Sequence, residues 1–175
     1  MDNSHGTSIR RLEALDDVHV KQLADVLIDC VNGGASVSFM HPLTTHRAQA
    51  FWRGLNAAVA AGQRALLVAE DDTGIAGTVQ LVLAQPDNQP HRADVAKMLV
   101  HRRARRRGVG AALITAAEAV GRECGKSLLV LDTTTGGDAE RLYARVGWVR
   151  AGEIPDYALM PRGGLSGTTL FYKAI

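Results

Sequence analysis

Apolar residues recur at helical spacing twice in the first third of the chain. Asp16 and Asp17 precede Val20, Leu23, Val26/Leu27 and Cys30/Val31, and Gly33-Gly34 stops the run. That pattern predicts a helix with an acidic N-cap and a glycine end. Thr44 or Thr45 caps a second helix, whose inner face is Ala48, Phe51/Trp52, Leu55 and Ala58/Val59 and whose end is Gly62. The intervening loop, Ala35–Pro42, carries Phe39 and Met40, unusually apolar for a connection. Ser8–Leu12 is short and reads as an edge strand. Residues 1–7 read as a loose polar terminus before a single domain over 8–175.

The period then changes to two. Ala65–Glu70 and Ile75–Leu83 flank Asp71-Asp72-Thr73-Gly74, which predicts an antiparallel hairpin. A polar loop, Gln85–Arg92, leads to a strand at Ala93–Val100. A helix follows with apolar face Val109, Ala112/Leu113, Ala116 and Val120, closed by Gly125. Ser127–Asp132 reads as a short buried strand and Ala139–Val146 as a short helix. Trp148–Ile154 and Thr168–Lys173 read as final strands with a Pro/Gly-rich loop between them. The order β-α-α-β-β-β-α-β-α-β-β predicts a mixed α/β layer fold, with a parallel strand–helix–strand crossover at 93–132.

Composition narrows the class. With 175 residues, 46% hydrophobic and 22% charged, the chain has enough apolar matter for one core. Two cysteines far apart frame no disulfide scaffold. No apolar stretch approaches the roughly 20 residues of a membrane helix. The opening MDNSHGTSIRR has no apolar signal core, so a reduced cytoplasmic protein is the expectation.

Charge changes the picture more. Lys and Arg number 20 against 18 Asp and Glu, yet Arg102, Arg103, Arg105, Arg106 and Arg107 stand in one run. Basicity confined to one place points to one anionic contact. The run joins a strand to a helix through Arg105-Arg106-Arg107-Gly108-Val109-Gly110. A helix N-terminus has free N–H groups and partial positive charge, glycines admit close approach, and arginines bind phosphate oxygens. Five arginines suit a ligand with more than one phosphate. Neither a GxxxxGK[ST] loop nor a GxGxxG fingerprint is present. The plain alternative is a solvated basic face.

The stretch resembles the pyrophosphate signature [QR]xxGx[GA] of the GCN5-related N-acetyltransferase (GNAT) family in type, spacing and context. Leu142-Tyr143-Ala144-Arg145-Val146-Gly147-Trp148 is similar to that family's later tyrosine segment, and the element order over 8–173 agrees. GGASVSFM (33–40), ADVAKMLV (93–100), LDT (131–133) and GEIPDYALMP (152–161) resemble its tabtoxin-resistance branch. The resemblance implies an acyl-CoA N-acyltransferase fold. Its sheet would be mixed and mostly antiparallel, with splayed parallel central strands and helices on both faces. It implies acetyl-CoA between Ala93–Val100 and Ser127–Asp132, held by Met98, Leu99, Val100, Arg105, Arg106, Arg107, Gly108, Val109, Gly110 and Ala111. No metal is expected, on the spacing of the histidines.

On the same resemblance, Tyr143 is the candidate general acid toward the leaving thiolate, against a plain core tyrosine. Asp94 and Asp132 are candidates for base or for ammonium binding, against ordinary strand-end hydrogen bonding. The loop 33–42 and the segment 155–164 would frame the acceptor. Phe39 and Tyr157 would line the pocket, and Trp52 fits core packing better. Cys30 and Cys124 read as inert thiols on helices. Six histidines show no HxxxH or HExxH spacing. His101, beside the phosphate turn, is either an assistant there or a surface residue.

The implied function is acetyl transfer to a primary amine of a small molecule, amino-acid-like or a toxin, by direct attack in a ternary complex, in a monomer or homodimer. The alternatives are an acyl-CoA sensor of the same fold, which Tyr143 argues against, and a nucleic-acid binder. The acidic remainder and 5% aromatic content disfavour the latter.

Overall fold

The structure is a computed structural model that describes residues 6–175. Of the expected loose terminus, residues 1–5 lie outside the described residues. The elements run β1 (Ser8–Leu12), α1 (Asp17–Asn32), α2 (Thr45–Ala60), β2 (Arg64–Asp71), β3 (Gly74–Val82) and β4 (Arg92–Val100). A 3-10 turn (Arg102–Ala104), α3 (Val109–Glu123), β5 (Leu128–Thr134), α4 (Asp138–Arg145), β6 (Val149–Leu159) and β7 (Leu165–Ala174) complete the chain.

The strands form one seven-stranded sheet in the order β1-β2-β3-β4-β5-β7-β6. Every pairing is antiparallel except β4–β5. That exception is the β4–α3–β5 crossover, because a helix between two strands returns the chain in the same direction.

Two apolar layers cover the sheet. On one face α1 and α2 bring Leu23, Leu27, Val31 and Trp52 onto Leu66, Val68 and Leu99. On the other, α3 and α4 bring Leu113, Ile114, Ala117 and Tyr143 onto Leu67, Leu81, Leu129 and Phe171. The period-2 alternation of the strands sorts these residues between the faces. α1 starts where Asp16 accepts from the His19 N–H at 2.8 Å while the His19 ring faces the Asp16 N–H, a reciprocal cap. Thr44 caps α2 through the Arg47 N–H at 3.3 Å.

Three details depart from the sequence reading. The final hairpin is longer than expected: β6 runs through Pro155 to Leu159 and β7 begins at Leu165. Proline is tolerated there because β6 is an edge strand and its register breaks between Ile154 and Ala158. The arginine run also forms a 3-10 turn that no apolar period announces. Cys124 is the residue after α3 and not within it.

Candidate active site

β4 and β5 pair only at Arg92↔Leu128, Ala93↔Leu129 and Asp94↔Val130. Beyond Asp94 and Val130 the strands diverge, and a cleft of about 1100 Å³ opens between them. Their outer edges stay paired, β4 to β3 and β5 to β7. The inner edges therefore face the cleft without strand partners, which leaves backbone groups for an amide-bearing ligand to satisfy. On its β3 side β4 carries a bulge at Lys97, whose φ is +49°.

One arm of the cleft reaches the start of α3. Gly108 is left-handed at φ 79°, and the first helical bond runs from the Ala112 N–H to the Gly108 carbonyl at 3.0 Å. The N–H groups of Val109, Gly110 and Ala111 lie before that bond, and all three residues line the cleft. Gly110 is close-packed. A Cβ there would sit 3.0 Å from Met98 Cε and 3.1 Å from Leu142 Cδ2. The missing side chain lets the helix start approach both β4 and α4.

The arginines divide by partner. Arg102 is bonded to Asp29 through its side chain and its backbone N–H, the latter at 2.9 Å. Arg103 is bonded to Asp71 and reaches the Ile75 carbonyl at 3.0 Å. Arg105 donates to the Val100 carbonyl at 3.0 Å and still lines the cleft. Arg106, left-handed at φ 61°, lines the cleft; its charge acts on Asp138 across it, without a hydrogen bond among the described residues. Arg107 is exposed and does not line it. Of the five arginines, two are thus clamped by carboxylates, two line the cleft and one does neither.

Tyr143, on α4, reaches the cleft from the α3–α4 face. It is 4% exposed and packs against Trp148 and Phe171 at centroid distances of 5.8 and 6.0 Å. Its hydroxyl has no hydrogen-bond partner among the described residues. Burial, helped by the negative charge of Asp132, pushes the phenol well above its ordinary pKa, so it keeps its proton at neutral pH.

The other arm is lined by Ser38, Phe39, Lys97, Asp132, Tyr157 and Thr168. Asp132 accepts from the Thr168 hydroxyl at 3.0 Å. Lys97 Nζ donates to Ser38 Oγ at 3.0 Å and lies 6.0 Å from the Phe39 and 5.7 Å from the Phe51 ring centroid. Burial and the neighbouring Arg64 lower its pKa, and Asp132 partly opposes them.

This frame has known counterparts. Residues 33–148, about two thirds of the chain, match the acetyltransferase (GNAT) family. The chain belongs to the GNAT acetyltransferase family.

As a GNAT acyltransferase it shares its fold with solved members. An N-acetyltransferase from Staphylococcus aureus is 13% identical with a TM-score of 0.78, covering 97% of this chain and 98% of that one. A GCN5-related N-acetyltransferase from Kribbella flavida is 21% identical with a TM-score of 0.77, over 97% and 98%. A protein from Salmonella typhimurium named as an acetyltransferase, solved with its cofactor acetyl-CoA, is 17% identical with a TM-score of 0.77, over 97% and 94%.

Within this GNAT cleft the structure gathers Met98, Leu99, Val100, Arg105, Arg106, Gly108, Val109, Gly110, Ala111, Tyr143, Asp132, Phe39 and Tyr157. Arg107 and Asp94 are not brought in. Asp94 shares a sheet face with Asp132 through its pairing with Val130, but it sits at the closed end of the strand pair. Its carboxylate is bonded to Arg92 and accepts from Gln85 Nε2 at 3.1 Å. Trp52 is fully buried, as packing predicts. Sequence reasoning missed Ser38, Lys97 and Thr168. Lys97 had a signal: it is the one charged residue in the apolar run VAKMLV.

No helix among the described residues is long and apolar enough to cross a membrane. Among them no cluster of three His, Cys, Asp or Glu is arranged to hold a metal.

Proposed function

We propose that this GNAT chain transfers an acetyl group from acetyl-CoA to a primary amine of a small molecule, by direct attack within a ternary complex. The observation that carries the reading is a coincidence in one cleft. The uncapped N–H groups of α3, two strand edges without partners and an unpartnered buried phenol all line it. These fit the pyrophosphate, the pantetheine amides and the thioester end of acetyl-CoA respectively.

Acetyl-CoA supplies an acetyl group activated as a thioester: the amine nitrogen forms a bond to the carbonyl carbon, the carbon–sulfur bond breaks, nitrogen loses a proton and sulfur gains one. Val109, Gly110 and Ala111 hold phosphate oxygens on their amides, and Arg105 and Arg106 add charge-assisted bonds. A backbone N–H of the Met98–Val100 stretch faces the developing oxyanion. Tyr143 gives up its phenolic proton toward sulfur. Asp132 holds the ammonium and takes one proton from it, directly or through water, so that the free amine attacks. The second nitrogen proton leaves after the bond forms, replacing the one that Tyr143 gives to sulfur. Asp94, already bonded to Arg92 and Gln85, keeps no such role.

The segments resembling the tabtoxin-resistance branch, 33–40 and 152–161, contribute Phe39 and Tyr157 to the acceptor arm. That supports an amino-acid-like acceptor.

The test is thiol release from acetyl-CoA in the presence of a panel of small amines, together with a crystal soaked in acetyl-CoA. The expected result is amine-dependent release and a diphosphate on the α3 amides. A chain that binds acetyl-CoA with its phosphates elsewhere, or that releases no thiol with any amine, would overturn the reading.

A further inference from the structure

Lys97 is in an unusual position for a lysine. It projects from the β4 bulge into the cleft, half-buried, where an ammonium loses hydration. Partial compensation comes from Ser38 Oγ and from the faces of Phe39 and Phe51. No carboxylate among the described residues lies within 4 Å of it. Asp132 faces the same cleft, close enough to act on Lys97 electrostatically, yet the two do not pair. Among the described residues, the Asp132 carboxylate instead accepts from the Thr168 hydroxyl. Arg64 and Arg47 stand nearby, Arg47 over the Phe39 ring at 5.7 Å, so the surroundings of Lys97 add positive charge.

One cation and one anion thus share a small arm of the cleft without neutralising each other. A cationic polyamine would meet Asp132 favourably and Lys97 unfavourably. A neutral monoamine would leave the half-buried ammonium without a counter-ion. A zwitterion satisfies both charges at once: its ammonium goes to Asp132 and its oxyanion to Lys97. The Ser38 hydroxyl, already bonded to Nζ, supplies an additional donor for the same oxyanion.

We infer that Lys97 is the specificity-determining anchor for an oxyanion on the acceptor, which makes the acceptor a compact amine bearing a carboxylate or similar acidic group, as an α-amino acid does. The inference rests on the acetyl-transfer reading above and adds the residue that recognises the acceptor's acid group.

The test uses matched pairs: standard α-amino acids, their amides and their decarboxylated amines, each offered to the full-length protein with acetyl-CoA. The readout is the ratio of kcat/KM between the acid and its uncharged partner. In the wild-type protein the acid is favoured about ten- to a hundredfold, the scale of a hydrogen bond to a charged group. Lys97→Met brings that ratio to near one. Lys97→Arg retains part of it, which separates lost charge from lost packing. Ser38→Ala keeps most of it, because the tether goes but the charge stays.

A ratio unchanged in Lys97→Met, or a wild-type preference for the amide or the amine, overturns the inference while leaving acetyl transfer standing. If no amine is acetylated, the activity reading fails first. Calorimetric titration of the same acids into the CoA-bound protein then decides the role of Lys97. Binding weakened about tenfold or more by Lys97→Met supports it, and equal or undetectable binding in both proteins refutes it.

Discussion

At the scale of single residues, Tyr143 combines near-complete burial with a place on the cleft wall. Its ring is held by Trp148 and Phe171, so replacing it by phenylalanine preserves the packing and removes only the hydroxyl. Tyr143→Phe is therefore expected to lower kcat by about a hundredfold, the lower range for a positioned general acid, with unchanged acetyl-CoA affinity. Steady-state kinetics and calorimetry check the two halves of that statement. Unaltered turnover would assign the tyrosine to packing alone. The arginines divide in the same way. Arg106→Ala is expected to weaken acetyl-CoA binding about tenfold, and the loss shrinks as salt is raised. Arg107→Ala, outside the cleft, should change affinity less than twofold by the same titration. The arginine positions were legible in the sequence, but this division was not. It depends on Asp29 and Asp71, which lie 73 and 32 residues from their arginine partners.

Among the elements, the 3-10 turn between β4 and α3 determines whether the helix start is presented correctly. Asp29, on α1, bonds the Arg102 backbone and side chain, and its oxygens also lie 3.7 Å from His101 Nε2 and 3.9 Å from Arg105 Nη2. This carboxylate draws together Arg102 and Arg105, two guanidiniums that would otherwise repel one another beside the start of α3. Asp29→Ala is expected to destabilise the fold by about 2 kcal/mol and to weaken acetyl-CoA binding without any contact to it. Thermal melts and calorimetry would show both; a variant that keeps its affinity would mean that the turn holds itself. The helices were readable because Asp16, Thr44, Gly33 and Gly62 mark their ends by local chemistry. β6 was cut short because Pro155 reads as a strand breaker, and only its place at the sheet edge makes it compatible with a strand. The cleft was inferred from a motif. Ser38, Phe39, Lys97, Asp132, Tyr157 and Thr168 come from one loop and four separate strands, and no local pattern assembles them.

For the whole molecule, a polar tie crosses the α3–β7 side. Glu118 is 6% exposed and takes Lys173 Nζ at 2.8 and 2.9 Å and Trp148 Nε1 at 3.0 Å. Removing the carboxylate strands a half-buried ammonium, so Glu118→Leu should cost about 3 kcal/mol in denaturant unfolding. Acid weakens the fold through Glu70 and Glu140. Glu70 is held below the usual carboxylate range chiefly by the hydrogen bond from Arg10, and Glu140 by the Gly136 N–H and then by Thr169. Carboxyls with lowered folded values contribute stability that is complete above their unfolded pKa. It is lost as pH falls through the folded one. The melting temperature should therefore stay level from neutrality to about pH 5 and drop below about pH 4. Glu140→Gln should flatten part of that drop. The divergence of β4 and β5 has a mechanical corollary. Among the described residues, three ladder pairs join the β1–β4 half of the sheet to the β5–β7 half, extended at the closed end by the bond from the Ser127 N–H to the His91 carbonyl at 2.8 Å. On the proposed reading, a pantetheine chain in the seam would supply the missing rungs, and the ligand would act as a brace as well as a reagent. At a hundredfold excess over its Kd it should add about 2.7 kcal/mol to global stability. The slowing of amide exchange should be concentrated along the two strands that border the seam.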